Sequence, residues 1–278
     1  MSGFLYKKVL IFGATSGIGA AMAERFLENN ISVIITGRRK ENLDTFVSKY
    51  SSSRSSSATI TAHVFDVNDR TTVPSFVSQI TREHPDLDCV FLNSGMQRSF
   101  NFANPTSVDF NLLESELDTN YTSFVRLTLA FTPFLQQQST PTALIYTSSG
   151  LALAPSQRCP NYCATKAAMH SWLLVLRDQL AAPPSPAHPI NVIELFPPAV
   201  QTELHDAKHQ PDIKDGGKMG MPLAEFVDET WSQLSAGKDQ IPVGMSKSHF
   251  ERDGKEGWEV QRQNIYRAMA EGMRKAGL

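Results

Sequence analysis

Apolar positions along the chain fall into two alternating patterns. Short runs dominated by apolar residues, at 8–12, 31–36, 59–65, 88–93, 143–147 and 190–196, predict buried strands. Between them stand stretches with helical spacing at 17–28, 41–50, 73–83, 111–137 and 161–180. Strand-length apolar runs separated by amphipathic helices predict a parallel sheet covered on both faces, and hence a doubly wound α/β fold. No second regime interrupts the alternation, so one domain is expected over residues 1–278. The serine-laden stretch 48–57 and the proline-rich stretch 181–189 each separate a helix from a strand and are expected to be exposed connectors. After Phe196 the pattern loosens. Residues 201–221 are polar, with Gly216, Gly217 and Gly220, and are expected to form a mobile loop shaping a substrate pocket. Residues 251–275 predict an amphipathic helix as a C-terminal extension, and no internal repeat is found.

Charge and cysteine content narrow the class. The net charge is -2 and no run of lysine or arginine stands out, which argues against a nucleic-acid partner. Cys89, Cys159 and Cys163 are too few and wrongly spaced for a disulfide framework or a zinc site, so they are expected to be packing residues and no metal is expected. The N-terminus lacks the apolar run of a signal peptide, and no stretch reaches membrane-spanning length. A cytoplasmic, soluble protein is the expectation.

The most informative early segment is Gly13-Ala14-Thr15-Ser16-Gly17-Ile18-Gly19, between the first strand and the first helix. Glycines there let the backbone turn tightly and approach a pyrophosphate, which the helix N-terminus favours electrostatically. A tight turn without a ligand is the alternative. About twenty residues on, an acid would bind a ribose 2′-hydroxyl, whereas arginine accommodates a 2′-phosphate. This chain has Thr36-Gly37-Arg38-Arg39 and no acid at that point, which favours NADP(H) over a merely solvated helix start. Asp66, after the third strand, is placed to accept from an adenine amino group, or else caps a helix with Asp69 as a competitor. Asn93-Ser94-Gly95 follows the fourth strand at the edge where such sheets bind ligands, unless Asn93 only shapes a turn.

Tyr162 and Lys166 stand four residues apart near the start of a long helix and so share a face. A nearby cation lowers a phenol's pKa from its usual value near ~10 and makes it a usable acid–base group. Upstream, the hydroxyl of Ser149 ends a strand and can hydrogen-bond a substrate carbonyl. Tyrosine and lysine at this spacing also occur by chance; the upstream motif gives the pair its weight.

In this combination the chain resembles the classical short-chain dehydrogenase/reductase family over about residues 7–244. Gly37-Arg38-Arg39, Ala164-Thr165-Lys166-Ala167-Ala168 and Pro197-Pro198-Ala199-Val200 resemble its DltE-like branch. The resemblance implies a Rossmann fold and an oxidoreductase moving hydride between NADP(H) and a carbonyl or secondary alcohol of a small molecule. It implies a cofactor held by Gly13, Thr15, Ser16, Gly17, Ile18 and Gly19, by Arg38 and Arg39, and by Asp66 and Val67. Asn93 and Gly95 would lie beside it, and Val200 and Thr202 would fix the nicotinamide carboxamide. Asn120, Ser149, Tyr162 and Lys166 would be catalytic, with Tyr162 and Lys166 also touching the cofactor and Asn120 holding a water that relays protons with Lys166. Pairing into a homo-oligomer through long helices is implied as well.

Four positions depart from the family pattern. Phe12 stands where a threonine usually ties the glycine loop to the segment after the fourth strand. Leu92 and Ser94 alter the usual Asn-Asn-Ala-Gly, and Pro198 replaces a glycine. The first two are expected to loosen or repack the cofactor loop. Two competing readings remain, an isomerase or tailoring enzyme using NADP(H) on the same fold, and a catalytically idle NADP(H)-binding protein.

Overall fold

The computed structural model describes residues 3–51, 57–182 and 187–276. Seven strands form one sheet: β1 (Lys8–Phe12), β2 (Ser32–Gly37), β3 (Ile60–Val64), β4 (Cys89–Leu92), β5 (Thr142–Thr147), β6 (Ile190–Phe196) and β7 (Gln240–Pro242). All neighbours are parallel, in the order β3-β2-β1-β4-β5-β6-β7. The helices are α1 (Gly17–Glu28), α2 (Lys40–Ser51), α3 (Val73–Glu83), α4 (Phe110–Leu117), α5 (Ser123–Leu135), α6 (Pro160–Ala181), α7 (Leu223–Ser235), α8 (Met245–Phe250) and α9 (Trp258–Lys275).

Successive strand residues face opposite sides, so a doubly covered sheet divides its side chains between two cores. In β1, Val9 and Ile11 join a core with Met22 and Phe26 of α1, Leu43 of α2 and Phe226 of α7. Leu10 and Phe12 join the other, with Ile80 of α3, Phe131 of α5 and Met169 of α6. This is the doubly wound architecture expected from the apolar runs.

The structure differs from the expectation in three places. The long helix expected over 111–137 is broken by a π-helical segment, Asp118–Thr122, between α4 and α5. Such bulges re-aim side chains, and this one contains Asn120. The elements α7, β7 and α8 were not foreseen. β7 has three residues and ends on proline, too few for any period to register. The stretch 201–221 contains two short 3₁₀ turns, Glu203–His205 and Gly216–Lys218. It is pinned at its base by Gln201 N–H to Met221 O (2.9 Å) and Met221 N–H to Ala199 O (2.8 Å). The expected connectors 48–57 and 181–189 lie partly outside the described residues. Among the described residues no helix is long and apolar enough to cross a membrane.

The C-terminal helix docks through buried charge. His170 of α6, Glu194 of β6 and Glu259 of α9 are 2%, 0% and 1% exposed. His170 Nδ1 faces both Glu194 oxygens (3.0 Å each), and its Nε2 faces Glu259 Oε1 (3.1 Å) with the Arg262 guanidinium beside it. Arg262 Nε donates to Glu259 Oε2 at 2.9 Å, and Gln263 Nε2 to Oε1 at 2.7 Å. Burial opposes the charge on His170, but Glu194 and Glu259 outweigh it and carry its pKa up to about 9. Burial likewise opposes ionisation of Glu259, but His170 and Arg262 hold it down to about 2.

Removing one partner of a buried ion pair strands the other, so Glu259→Gln is expected to destabilise the protein by about 3 kcal/mol near pH 6. The raised His170 contributes stability that is complete below its unfolded value of 6.5 and lost as pH rises through about 9. The lowered Glu259 contributes stability complete above its unfolded 4.5 and lost as pH falls through about 2. The gap in melting temperature between wild type and variant should therefore be widest between pH 4.5 and 6.5 and should narrow as pH rises through about 9. Melting curves across pH check this; a gap that ignores pH removes the ionic account of docking.

Candidate active site

Between β1 and β4 the strand order reverses, and the loops leaving the carboxyl ends of the two strands part there to leave a crevice. A cleft of about 880 Å³ opens at this edge. Every site residue expected from the sequence lines it except Gly19 and Asn120, which are buried beside it.

The glycine loop owes its shape to close approaches. Gly13 has φ +78°, and a Cβ there would lie 2.8 Å from Ser94 Cα. A Cβ on Gly19 would lie 2.2 Å from Gly13 O, so only hydrogen lets α1 start this close to the turn. The N–H groups of Gly13 and Ala14 both donate to Thr36 O (3.1 and 2.9 Å), tying the loop to the end of β2. Ser16, the N-cap of α1, makes no side-chain cap bond, and no acid stands in the first turn. The first N–H groups of α1 are thus left for an anion.

Phe12 does not loosen this loop. Its ring is fully buried among Phe65, Phe76 and Phe131. The tie between the loop and the segment after β4 comes instead from Asn93, whose Nδ2 donates to Gly13 O (3.1 Å) while its Oδ1 accepts from the Thr147 hydroxyl (2.9 Å). One amide therefore joins the ends of β1, β4 and β5.

At the end of the cleft beside β2, Arg38 is exposed and lines the wall. Arg39 is already engaged, donating to Thr15 Oγ1 (2.9 Å), Ser16 Oγ (2.7 Å) and Glu203 Oε2 (2.7 Å). Burial works against ionisation of Glu203, but its bonds to Arg39 and Ser16 hold its carboxyl below the usual range. Asp66 and Val67 line the cleft, whereas Asp69 is exposed and serves the turn before α3, accepting from Thr71.

At the other end, Ser149, Tyr162 and Lys166 converge, 6%, 7% and 2% exposed. Ser149 Oγ accepts from Leu151 N–H (3.0 Å) and faces the Tyr162 phenol. Lys166 Nζ donates to Thr147 O (2.8 Å) and sits 5.6 Å from the centroid of the Tyr162 ring. Burial pushes the phenol above its ordinary 10, with Ser149 pulling the other way. Burial also brings Lys166 down to about 7, against the pull of the Glu116 and Glu194 carboxylates. The dominant influence on the phenol is thus burial, opposite in direction to the lowering expected from a neighbouring cation.

Asn120 is fully buried. Its Nδ2 donates to Met96 O (2.9 Å) and Thr165 Oγ1 (3.2 Å), and its Oδ1 accepts from Met96 N–H (2.9 Å). Both amide N–H groups are engaged by protein acceptors.

Sequence reading missed Glu203, Glu116 and Ser148, the last with a buried hydroxyl that has no hydrogen-bond partner in the cleft wall. Each is an ordinary residue in a polar stretch, and only the fold brings it to the site. All three cysteines are free and buried. Away from the cleft, His63, Glu83 and His84 bring ligand atoms within 4.8 Å of one another. The Lys8 ammonium bears on His84, and Gln79 donates to Glu83, both of which work against a cation there.

Residues 7–212 match the family described as short chain dehydrogenase. An uncharacterized oxidoreductase, DltE, of Bacillus subtilis is 33% identical over 84% of this chain and 86% of its own length. A benzil reductase of Saccharomyces cerevisiae is 24% identical over 77% of this chain and 78% of its own. A short-chain dehydrogenase from Sphingobium yanoikuyae, solved with NADPH, superposes with a TM-score of 0.73 at 24% identity, covering 96% of this chain and 95% of that one. Another from Burkholderia phymatum, solved with NAD, gives 0.75 at 17% identity over 90% and 92%. On the cleft geometry and these matches together, the chain belongs to the short-chain dehydrogenase/reductase family of oxidoreductases, in its DltE-like branch.

Proposed function

We propose that the protein is an NADP(H)-dependent carbonyl reductase acting on a small, largely apolar ketone. One observation carries this reading: a buried serine–tyrosine–lysine cluster and a pair of arginines occupy the two ends of one cleft, with no acid closing β2. The cleft fits the cofactor at three points: the uncapped N-terminus of α1, the exposed Arg38, and the unpartnered Ser148 hydroxyl. Met96, Leu151, Leu204, Met219 and Met245 line the remaining wall together with Arg158, His205 and His249, and this apolar share supports an apolar substrate. A relative named as an NADP-dependent 3-hydroxy acid dehydrogenase, from Salmonella typhi, is 28% identical over 76% of this chain. Together with the benzil reductase it supports carbonyl chemistry with this cofactor.

When bound, NADPH supplies a hydride to the carbonyl carbon. Ser149 donates a hydrogen bond to the carbonyl oxygen and orients it. Tyr162 delivers its phenolic proton to that oxygen as negative charge builds there. A phenol held above its usual pKa is fully protonated at neutral pH, which favours the reductive direction. Lys166 supplies the positive charge nearest the resulting phenolate. Asn120 holds the strip 95–98 against α6 through Met96 and Thr165, and so keeps the substrate wall in register with Tyr162.

Tyr162→Phe keeps the ring packing and removes the transferable proton. Turnover of ketones under NADPH is expected to vanish while NADPH affinity stays within a few-fold. A variant retaining more than about a tenth of the rate would show that the proton comes from elsewhere.

Arg38→Ala is expected to weaken NADPH by roughly ten- to a hundred-fold, the value of a hydrogen bond to a charged group, and to leave NADH nearly unchanged. Affinities of both cofactors, measured by fluorescence titration, check this. Equal losses for the two would make Arg38 a structural residue and remove the case for NADP(H).

A further inference from the structure

Glu116 is a buried carboxylate that the mechanism above does not use. It is 0% exposed, and no lysine, arginine or histidine among the described residues forms an ion pair with it. Two neutral donors hold it instead. Its Oε1 accepts from the backbone N–H of Arg98 at 2.7 Å, and its Oε2 from Asn161 Nδ2 at 2.7 Å. The same Asn161 Nδ2 reaches Leu113 O at 3.2 Å, closing α6 against α4.

Both donors matter for where they lie. Asn161 immediately precedes Tyr162, and Arg98 ends the strip 95–98 whose Met96 is clasped by Asn120. A carboxylate removed from water costs several kcal/mol unless its surroundings compensate. An apolar side chain of similar size would fill the space without that cost, so the charge itself calls for an explanation.

The charged and titratable groups facing Glu116 are Arg98, from the loop after β4, and Tyr162 and Lys166, from α6; the Tyr162 phenol also faces Cys159 and Cys163, of which Cys159 opposes its ionisation more strongly than Glu116 does. Burial pushes the Glu116 carboxyl up, while the bonds from Asn161 and Arg98 and the charges of Arg98 and Lys166 hold it down. In return, Glu116 is the leading charge that keeps Lys166 protonated against burial, and its negative charge opposes ionisation of the phenol.

We propose, building on the reading that Tyr162 is the proton donor, that Glu116 is a positioning residue for the Tyr162–Lys166 pair. It fixes the first turn of α6 against the strip 95–98 and places one negative charge behind the pair. The bonds set where the phenol points, and the charge keeps both groups in the protonated forms that ketone reduction requires.

The test separates the charge from the bonds. Ionisation of Tyr162 is read from tyrosinate absorbance as the difference between each protein and its Tyr162→Phe counterpart, alongside turnover against pH at saturating NADPH. In Glu116→Gln the phenol is expected to ionise about one pH unit lower, as follows from removing a nearby like charge. The high-pH fall in reduction rate moves down with it. Asn161→Ala removes a hydrogen bond and keeps the charge, so it should lose rate without moving either curve. Glu116→Asp, which keeps the charge on a shorter arm, should behave as Asn161→Ala does and serves where the glutamine variant fails to fold. Tyrosine titrations that coincide in wild type and Glu116→Gln overturn the proposal, as does an equal shift in Asn161→Ala. The absorbance readout needs no turnover, so a wild type inactive on every ketone would sink the reductase reading and leave the role of Glu116 still decided by titration.

Discussion

A lysine ammonium sealed from water at the head of α6 is the constraint around which the rest of this molecule is arranged. Lys166 is 2% exposed, and burial alone would strip its proton. Its direct hydrogen bond goes to a main-chain carbonyl, Thr147 O, so the balancing negative charge has to come from further off. Glu116 and Glu194 both pull against that loss, Glu116 the more strongly, and Lys166 is still brought down to about 7. Glu194, fully buried itself, needs a cation, and His170 one turn along α6 provides it. The imidazolium then faces Glu259, and through that residue α9 is drawn onto the sheet. Compensation for one charge thus runs from the cleft to the C-terminal helix without leaving the protein interior.

The cofactor end rests on a second economy of contacts. Asn93 bonds the glycine turn on one side and Thr147 on the other, so the residue that shapes the cofactor loop also fixes the strand whose carbonyl receives Lys166. Phe12 gives up the polar tie usual at its position in the family and adds an aromatic contact to the core behind it. The loop keeps a tie to the segment after β4 because Asn93 reaches Gly13 O. A departure from a sequence pattern is therefore a poor guide to loosening when a neighbour can tie the same two segments.

The sheet was legible because a doubly covered strand is apolar on both faces, and 8–12 and 190–196 could be read residue for residue. The cleft was legible where glycines, arginines and the tyrosine–lysine spacing state a local requirement. What escaped depended on three dimensions. The π segment at Asp118–Thr122 leaves the apolar spacing of 111–137 nearly intact, so periodicity reads one helix. β7 is too short to carry a period. The direction of the tyrosine's shift could not be read from its distance to lysine along the chain, because burial, which dominates it, is a property of the packed molecule. Glu116 is one of several acids in the stretch 111–137, and only the packing of α4 turns it inward.

The cluster joining His170, Glu194 and Glu259 also bears on the order in which the chain can acquire its structure. Synthesis delivers the sheet and α6 first, yet one of their buried charges, that of His170, lacks one of its carboxylate partners until α9 has been made. Until then α6 and β6 hold an ion cluster open on one side, and water has to fill the position that Glu259 later takes. Docking of α9 onto this cluster is consequently a late, long-range event.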